Sequence, residues 1–363
     1  MQTGFQHPNG LFNLEWTVFS TSFFVILEFD SIECRGGLMK KLLLIYNPVS
    51  GDGRIRSGLS ELINLFTAQG YLVTTYPTQK PRDAWLTLEH LENDREQYER
   101  IVVCGGDGMM HEALNGWMHG RDMPPLGYIP SGTVNDFANS YGIPKDLQAA
   151  ALTACTQGWT SLDTGCFNDE YFTYLAAFGV GTSVSYQTPQ RRKQIFGSAA
   201  YIIEALSTVD FAHWENNCET MEINWEGGSA QGDFLYGMVS NSKYVAGSDL
   251  FTRDLFNWHD GLLEGVFFRR PMNLNELNQI IGCLVRSDFN NPICIQVQSP
   301  WFEFRSSQTD WTLDGEYGGT HDFVRVEAVP KTLRMILPPE HLDHPEESAE
   351  ESQHHEEVQK TDE

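Results

Sequence analysis

Four short segments carry the residue types that chemistry requires. Asn47-Pro48-Val49-Ser50-Gly51 sets an amide, a hydroxyl and a glycine just past the apolar run Leu42–Tyr46. Gly105-Gly106-Asp107-Gly108 follows the apolar run Ile101–Cys104 and precedes a helical stretch through Glu112. Three glycines let backbone N–H groups crowd a phosphate, and a helix start adds a favourable partial charge. Asp107 suits such a place when a divalent cation lies between it and the phosphate. Pro130-Ser131-Gly132-Thr133-Val134-Asn135-Asp136-Phe137-Ala138 offers the polar groups of Ser131, Thr133 and Asn135 at a third strand end. Leu313-Asp314-Gly315-Glu316 places two carboxylates either side of a glycine. A carboxylate beside a substrate hydroxyl can act as a general base. Each segment also has a plainer reading, as a strand-to-helix turn, a helix cap or an Asp-Gly hairpin turn.

The elements that must position these residues follow from apolar periodicity. From Lys40 to about Cys166 strands alternate with helices. A strand over Leu42–Tyr46 is followed by a helix with Leu59, Leu62, Ile63 and Phe66 on one face and Gly70 as its stop. Strands are expected over Tyr71–Tyr76, Ile101–Cys104 and Leu126–Ile129, and helices over Ala84–Asn93, Glu112–Met118 and from Asn135. That alternation means an α/β domain with a parallel sheet, whose ligands bind at the carboxyl ends of the strands. After residue 167 strands dominate, with Phe172–Phe178 among them and a hairpin turn at Gly227-Gly228. Two helices interrupt, about Ser198–Val209 and one after Asn273, an N-cap with Glu276 three residues on. The expected layout is an extension over 1–38, an α/β domain over 39–166, an antiparallel, β-rich, sandwich-like domain over 167–338 and an acidic tail over 339–363. The last strand is left free to return to the first domain. The fold is expected to start at Met39, with residues 1–38 a mis-assigned start or a disordered segment.

Charge and composition exclude several classes. The 363 residues carry a formal net charge of −25, which argues against a nucleic-acid partner. Seven scattered cysteines, an odd count with no CxxC pair, argue against a disulfide framework or a cysteine zinc site and fit a reducing, cytoplasmic setting. No apolar run reaches the roughly 18 residues that a membrane span needs. The chain lacks GxxxxGK[ST], GxGxxG and HExxH. His111 reads as a surface or site-rim residue.

Taken in order, NPVSG, GGDG, PSGTVNDFA and a late DGE resemble the diacylglycerol kinase catalytic-domain family, and within it the soluble bacterial lipid kinases. The resemblance runs from about Lys40 to Leu337. It implies an α/β domain similar to those of NAD kinases and phosphofructokinases, then a β-rich domain, with ATP between them and Mg²⁺ as the metal. It implies transfer of the γ-phosphoryl of ATP to a lipid hydroxyl, with diacylglycerol as the default acceptor and phosphatidic acid as the product. By the same resemblance Asn47, Pro48, Ser50, Gly51, Thr78, Gly106, Asp107, Gly108, Glu112, Thr133 and Asn135 fall where the family holds ATP. Asp314 falls where its catalytic base sits, with Glu316 as companion. Asn257, Asp260 and Leu262 fall where it holds a structural Mg²⁺, Asp260 through its side chain and the other two through carbonyls.

Three positions depart from the family pattern. Met109 stands where a Thr is usual, His259 where a first Asp is usual, and Asn139 where an Arg commonly follows. Other readings stay open: a kinase of another lipid alcohol such as phosphatidylglycerol or a sphingoid base, an NAD kinase-like enzyme, or a nucleotide-binding regulator with weak turnover. A lipid acceptor implies peripheral contact at the inner membrane surface. Arg191-Arg192-Lys193 and Arg269-Arg270 are the basic clusters available for it. A homodimer is left open.

Overall fold

The structure is a computed structural model that describes residues 39–91, 98–120, 122–180, 218–242, 244–245, 248–249 and 258–341. Its first half is built on four parallel strands: β1 (Lys40–Tyr46), β2 (Tyr71–Pro77), β3 (Arg100–Gly105) and β4 (Leu126–Pro130), in the order β2-β1-β3-β4. β3 and β4 are buried throughout, which is why they read as unbroken apolar runs rather than alternating ones. Helices α1 (Arg54–Ala68), α2 (Asp83–His90), α3 (Asp107–His119), α4 (Asp136–Ser140) and α5 (Leu147–Ala154) connect and cover them. Ile55, Leu62 and Phe66 form the buried stripe of α1 and join Leu42–Ile45, Val102, Met110 and Leu114 in one core. Asp146 accepts from Ala149 N at 2.9 Å and caps α5. Buried Arg100 donates to Ala154 O and Thr156 O at the other end of that helix.

The second half is antiparallel. Its strands are β5 (Thr160–Phe167), β6 (Glu170–Phe172), β7 (Leu175–Gly179), β8 (Glu219–Trp225), β9 (Gly228–Ser240), the short β10 (Tyr244–Val245) and β11 (Ser248–Asp249), β12 (Leu263–Arg269), β13 (Cys294–Ser299), β14 (Trp301–Leu313) and β15 (Glu316–Met335). β9 pairs β8 through its first half and β7 through its second, and β14 does the same. Period-two alternation sorts their side chains onto two faces. Ala176, Phe178, Phe234, Phe267, Phe304 and Trp311 form one core. Leu175, Ala177, Leu235, Met238 and Phe268 face the other way, onto Leu277, Ile280 and Leu284 of α6 (Leu274–Arg286). Asn273 caps α6, accepting from Glu276 N at 3.0 Å.

One strand joins the halves. β15 pairs β14 along its first part and β5 along its last, and Met335 lies beside Leu126 of β4 in parallel register. All the described strands but β10 and β11, which pair with each other, thereby hydrogen-bond into a single 13-stranded sheet. Four shorter strands that the apolar pattern predicts, Trp301–Arg305 and Trp311–Leu313, then Phe323–Ala328 and Leu333–Leu337, are merged in the long β14 and β15, except that β15 ends at Met335. Their interruptions are register shifts between Arg305 and Thr309 and between Val329 and Leu333, and Lys331 sits in the second at φ +51°. The position expected as a boundary, 166/167, lies within β5. The helix expected over Ser198–Val209, the basic cluster Arg191–Lys193, residues 1–38 and residues 342–363 all lie outside the described residues.

Candidate active site

Parallel register sends the carboxyl ends of β1, β3 and β4 to one edge, and the order reverses between β1 and β3, which is where such sheets hold ligands. The three loops leaving that edge are packed backbone to backbone. Gly51 has φ +60°, and a Cβ there would lie 2.5 Å from Ser131 O. A Cβ on Gly132 would lie 2.5 Å from Gly106 Cα. Only glycine admits both approaches. Ser50 Oγ donates to Ser131 O, and Ser131 Oγ donates to Ser50 Oγ at 2.8 Å. Asn47 N donates to Cys104 O, and its Oδ1 accepts from Val49 N. Thr78, at the end of β2, is tied to Tyr46 O through its N–H at 2.9 Å. Arg54, the first residue of α1, donates to Gly51 O and brings a cation to this edge that the motif reading passed over.

Helix α3 starts at Asp107, directly behind Gly106, so the N–H groups of Asp107 and Gly108 lack intrahelical carbonyl partners, while those of Met109 and Met110 both go to Gly106 O. Asp107 accepts from Asn135 N at 2.9 Å and Phe137 N at 3.3 Å and so fixes the glycine loop to the start of α4. Burial lifts its carboxyl to about 6, and the charge of Asp314 adds to the rise. Asn135 and Glu112, also expected at the nucleotide, are likewise held by protein contacts. Asn135 bonds Gly132 through both its Oδ1 and Nδ2 and closes that turn. Glu112 accepts from Arg82 N and Ala84 N and caps α2. Thr133 is exposed at the mouth of the loops.

The late DGE meets this edge. Asp314 and Gly315 have φ of +49° and +82°, the paired positive values of a two-residue hairpin turn, so the turn reading and the functional reading coincide. The Asp314 side chain has no exposed surface. Its Oδ1 accepts from Tyr174 N (2.9 Å) and Leu175 N (3.1 Å). Its Oδ2 accepts from Thr173 N (2.7 Å), Thr173 Oγ1 (3.0 Å) and His111 Nδ1 (2.9 Å). The strand expected over Phe172–Phe178 therefore breaks at Thr173–Tyr174, because the N–H groups there turn toward a carboxylate rather than a neighbouring strand. Glu316 is exposed, and its Oε1 lies 3.5 Å from where a Cβ on Gly108 would be.

His111 is not a rim residue but is buried, because its ring lies between two carboxylates, donating to Asp314 and to Glu170 Oε1 at 2.9 Å. Burial disfavours the cation, but the two acceptors outweigh it and hold the imidazole at about 10. The hydrogen bond from His111 holds Glu170 below the usual carboxylate range. Tyr174 also escaped the sequence reading. Its hydroxyl lies 3.3 Å from where a Cβ on Gly315 would be. Burial, then the charges of Asp107, Asp136, Asp314 and Glu316, keep this phenol protonated far above the ordinary range. Nothing in the sequence motifs signals either residue, since both act through tertiary contacts.

At the expected metal site Asn257 lies outside the described residues. Asp260 is exposed and accepts from Leu262 N at 3.0 Å. Asp163 holds the same loop by accepting from Gly261 N and Lys331 N. Among the described residues no cluster of three or more His, Cys, Asp or Glu side chains forms a metal cage. One observation nonetheless fits a cation: Glu264, two residues after Leu262, is buried with its Oε2 unpartnered. Burial, and then the charge of Asp260, raise its carboxyl to about 8.

Comparison with known proteins agrees with this arrangement. Residues 41–167 match the model of the diacylglycerol kinase catalytic domain. Diacylglycerol kinases of Staphylococcus aureus strains RF122 and MRSA252 are each 33% identical over 285 residues, 78% of this chain and 88% of theirs. In fold, the chain resembles a Bacillus anthracis protein provisionally described as a diacylglycerol kinase, with a TM-score of 0.70 and 21% identity over 84% of this chain and 97% of that one. A second Bacillus anthracis structure, described as a diacylglycerol kinase, gives a TM-score of 0.64 and 19% identity over 84% and 98%. With its glycine loops and carboxylate turn gathered at one sheet edge, this chain belongs to the diacylglycerol kinase family and is a lipid kinase.

Proposed function

We propose that the chain transfers the γ-phosphoryl of ATP to the free hydroxyl of a diacylglycerol, giving phosphatidic acid. The observation that carries this reading is the meeting of the Glu316 carboxylate with Gly108, the one motif supplying a base and the other a phosphate cradle. The open N–H groups of α3, the Gly51 and Gly132 loops, Thr133 and Arg54 would hold the triphosphate. Catalysis of this class is mostly positioning and charge neutralisation. The family resemblance implies proton acceptance by Asp314, but both its oxygens are engaged by five donors, and a base needs a free lone pair. In this proposal Glu316 accepts the proton, and Asp314 holds the turn that presents it.

A magnesium ion would be held by Asp260, the carbonyls of Asn257 and Leu262, and the unpartnered oxygen of Glu264, an all-oxygen set that suits it. Bound there, it would supply a fixed positive charge. The chain's own residues tie that loop to β15 through Asp163. Access to a bilayer lipid implies peripheral docking on the cytoplasmic face. Among the described residues no helix is long and apolar enough to cross a membrane. Arg270 is paired with Asp233 at 3.3 Å, so the Arg269-Arg270 cluster presents less charge than its sequence suggests.

The test is turnover of labelled ATP into labelled lipid with a panel of acceptors: diacylglycerol, phosphatidylglycerol, a sphingoid base and NAD. Labelled phosphatidic acid is the expected product. Label in another acceptor alone would reassign the substrate. Within that assay Glu316→Gln is expected to lower kcat by about 10²–10⁴-fold, the usual cost of removing a general base. Asp314→Asn is expected to lower thermal stability as well as kcat. A fully stable but inactive Asp314→Asn protein would return the base to Asp314.

A further inference from the structure

The Tyr174 hydroxyl is a proton donor with no hydrogen-bond acceptor among the described residues. The residue is only 5% exposed. Its hydroxyl makes no hydrogen bond to any described residue. Its place is set from both sides. Its own backbone N–H is fastened to Asp314 at 2.9 Å, and its ring lies in the core under β9 and α6. The hydroxyl reaches the Gly315 turn, where a side chain on that residue would stop 3.3 Å away. Four carboxylates act on it: Asp107 behind the glycine loop, Asp136 at the start of α4, and Asp314 and Glu316 on the turn. These come from both halves of the molecule. A phenol under the influence of anions keeps its proton and so has one to donate.

We propose that the Tyr174 hydroxyl donates a hydrogen bond to a non-bridging oxygen of the phosphoryl group in transit, making Tyr174 a catalytic residue of the kinase. This rests on the reading of the site as a lipid kinase. In the step, the lipid hydroxyl oxygen forms a bond to the γ-phosphorus as the bond from that phosphorus to the bridging oxygen of ADP breaks. The electron pair of the broken bond leaves on the ADP β-phosphate. The hydroxyl proton passes to Glu316. The Tyr174 proton stays on Tyr174 throughout. Its hydrogen bond offsets charge on the equatorial oxygens at a place otherwise lined by carboxylates. A neutral donor suits that place because it adds no charge that four nearby anions would trap in an ion pair. Preorganised donors of this kind matter most where charge develops and water is displaced.

Tyr174→Phe tests this cleanly, since it deletes one oxygen and keeps the ring that packs in the core. All measurements are made on the full chain. The kcat with diacylglycerol is expected to fall about 10–100-fold, with the KM for ATP within about twofold and the melting temperature unchanged. The slow hydrolysis of ATP without lipid is expected to fall by a similar factor, because the donor contacts the phosphoryl group and not the acceptor. Binding of ADP with aluminium fluoride, a mimic of the phosphoryl group in transit, is expected to weaken at least tenfold while ADP alone binds as before. Unchanged kcat and unchanged aluminium fluoride affinity would overturn the proposal. A rise confined to the KM for lipid would also overturn it, by moving the contact to the acceptor. The aluminium fluoride measurement does not depend on the proton acceptor. If Glu316→Gln retains turnover, the base assignment fails while the Tyr174 result stands or falls separately.

Discussion

Asp314 shows what a carboxylate does when it is surrounded by donors. Three backbone N–H groups, a hydroxyl and an imidazolium converge on it, and each fixes the turn on which Glu316 stands. His111 is the donor whose protonation can be followed. Its folded value near 10 lies above the ordinary 6.5, so the folded state binds its proton more tightly than the unfolded state does. The groups facing it are Asp314 and Glu170, with Arg82 acting on Glu170 from the far side. The stabilisation is therefore complete below pH 6.5 and is lost as pH rises from there through 10. His111→Gln should lower the melting temperature most at pH 6 and progressively less toward pH 10. A gap of constant size across that range would mean the imidazole is not held as a cation. At this scale the sequence revealed the carboxylates and the glycines but not His111 or Tyr174. The motif residues are adjacent in the chain, whereas His111 meets Asp314 across 203 positions.

Elements were legible where one periodicity dominated. Strands β1, β3 and β4 and helix α1 follow directly from apolar runs and a single buried stripe, and the Asn273 cap of α6 follows from its spacing to Glu276. Long antiparallel strands were harder, because a bulge interrupts alternation and looks like a loop. Helix α5 was missed because Leu147–Ala154 is mostly alanine and leucine without a clear polar face. Element packing also revises the meaning of Met109. Its side chain is buried against the Gly105 backbone at the start of α3 and belongs to the core of the parallel half, not to the nucleotide cleft. Met109→Thr puts a hydroxyl and a smaller volume into that contact. It is expected to cost about 1–3 kcal/mol, as buried large-to-small changes do. The KM for ATP should stay within about twofold. Urea unfolding with an unchanged slope and a lower midpoint is the expected result. A tighter ATP KM with no loss of stability would restore position 109 to the nucleotide site.

At the scale of the molecule, chain order alone suggests two bodies, and the hydrogen bonding suggests one. The sequence changes grammar near residue 167, from alternating elements to strands, and that change is real. What the sequence cannot show is that β15 crosses back, since its last residues read as one more short strand. Yet Leu333 and Met335 lie in the core of the parallel half, while Val324 and Val326 of the same strand lie in the core of the antiparallel half. Asp314 and His111 add a second crossing through the site. A strand that belongs to both cores cannot leave one without disturbing the other, so the two halves are expected to unfold together. The chain carries its own reporters. Trp117 is buried in the parallel core and Trp311 in the antiparallel core. Of the nine tryptophans, each of these two is isolated by subtracting the fluorescence of its Phe variant from that of the parent chain, and the two urea transitions so read should coincide in midpoint and slope with the transition read by circular dichroism. Leu333→Ala, which leaves a cavity only on the parallel side, should lower both midpoints together. Two separated transitions, or a Leu333→Ala shift seen at Trp117 but not at Trp311, would show that β15 is a tether between independent domains. The turn at Asp314 would then owe its position over the glycine loop to the site's own contacts rather than to the strand that carries it.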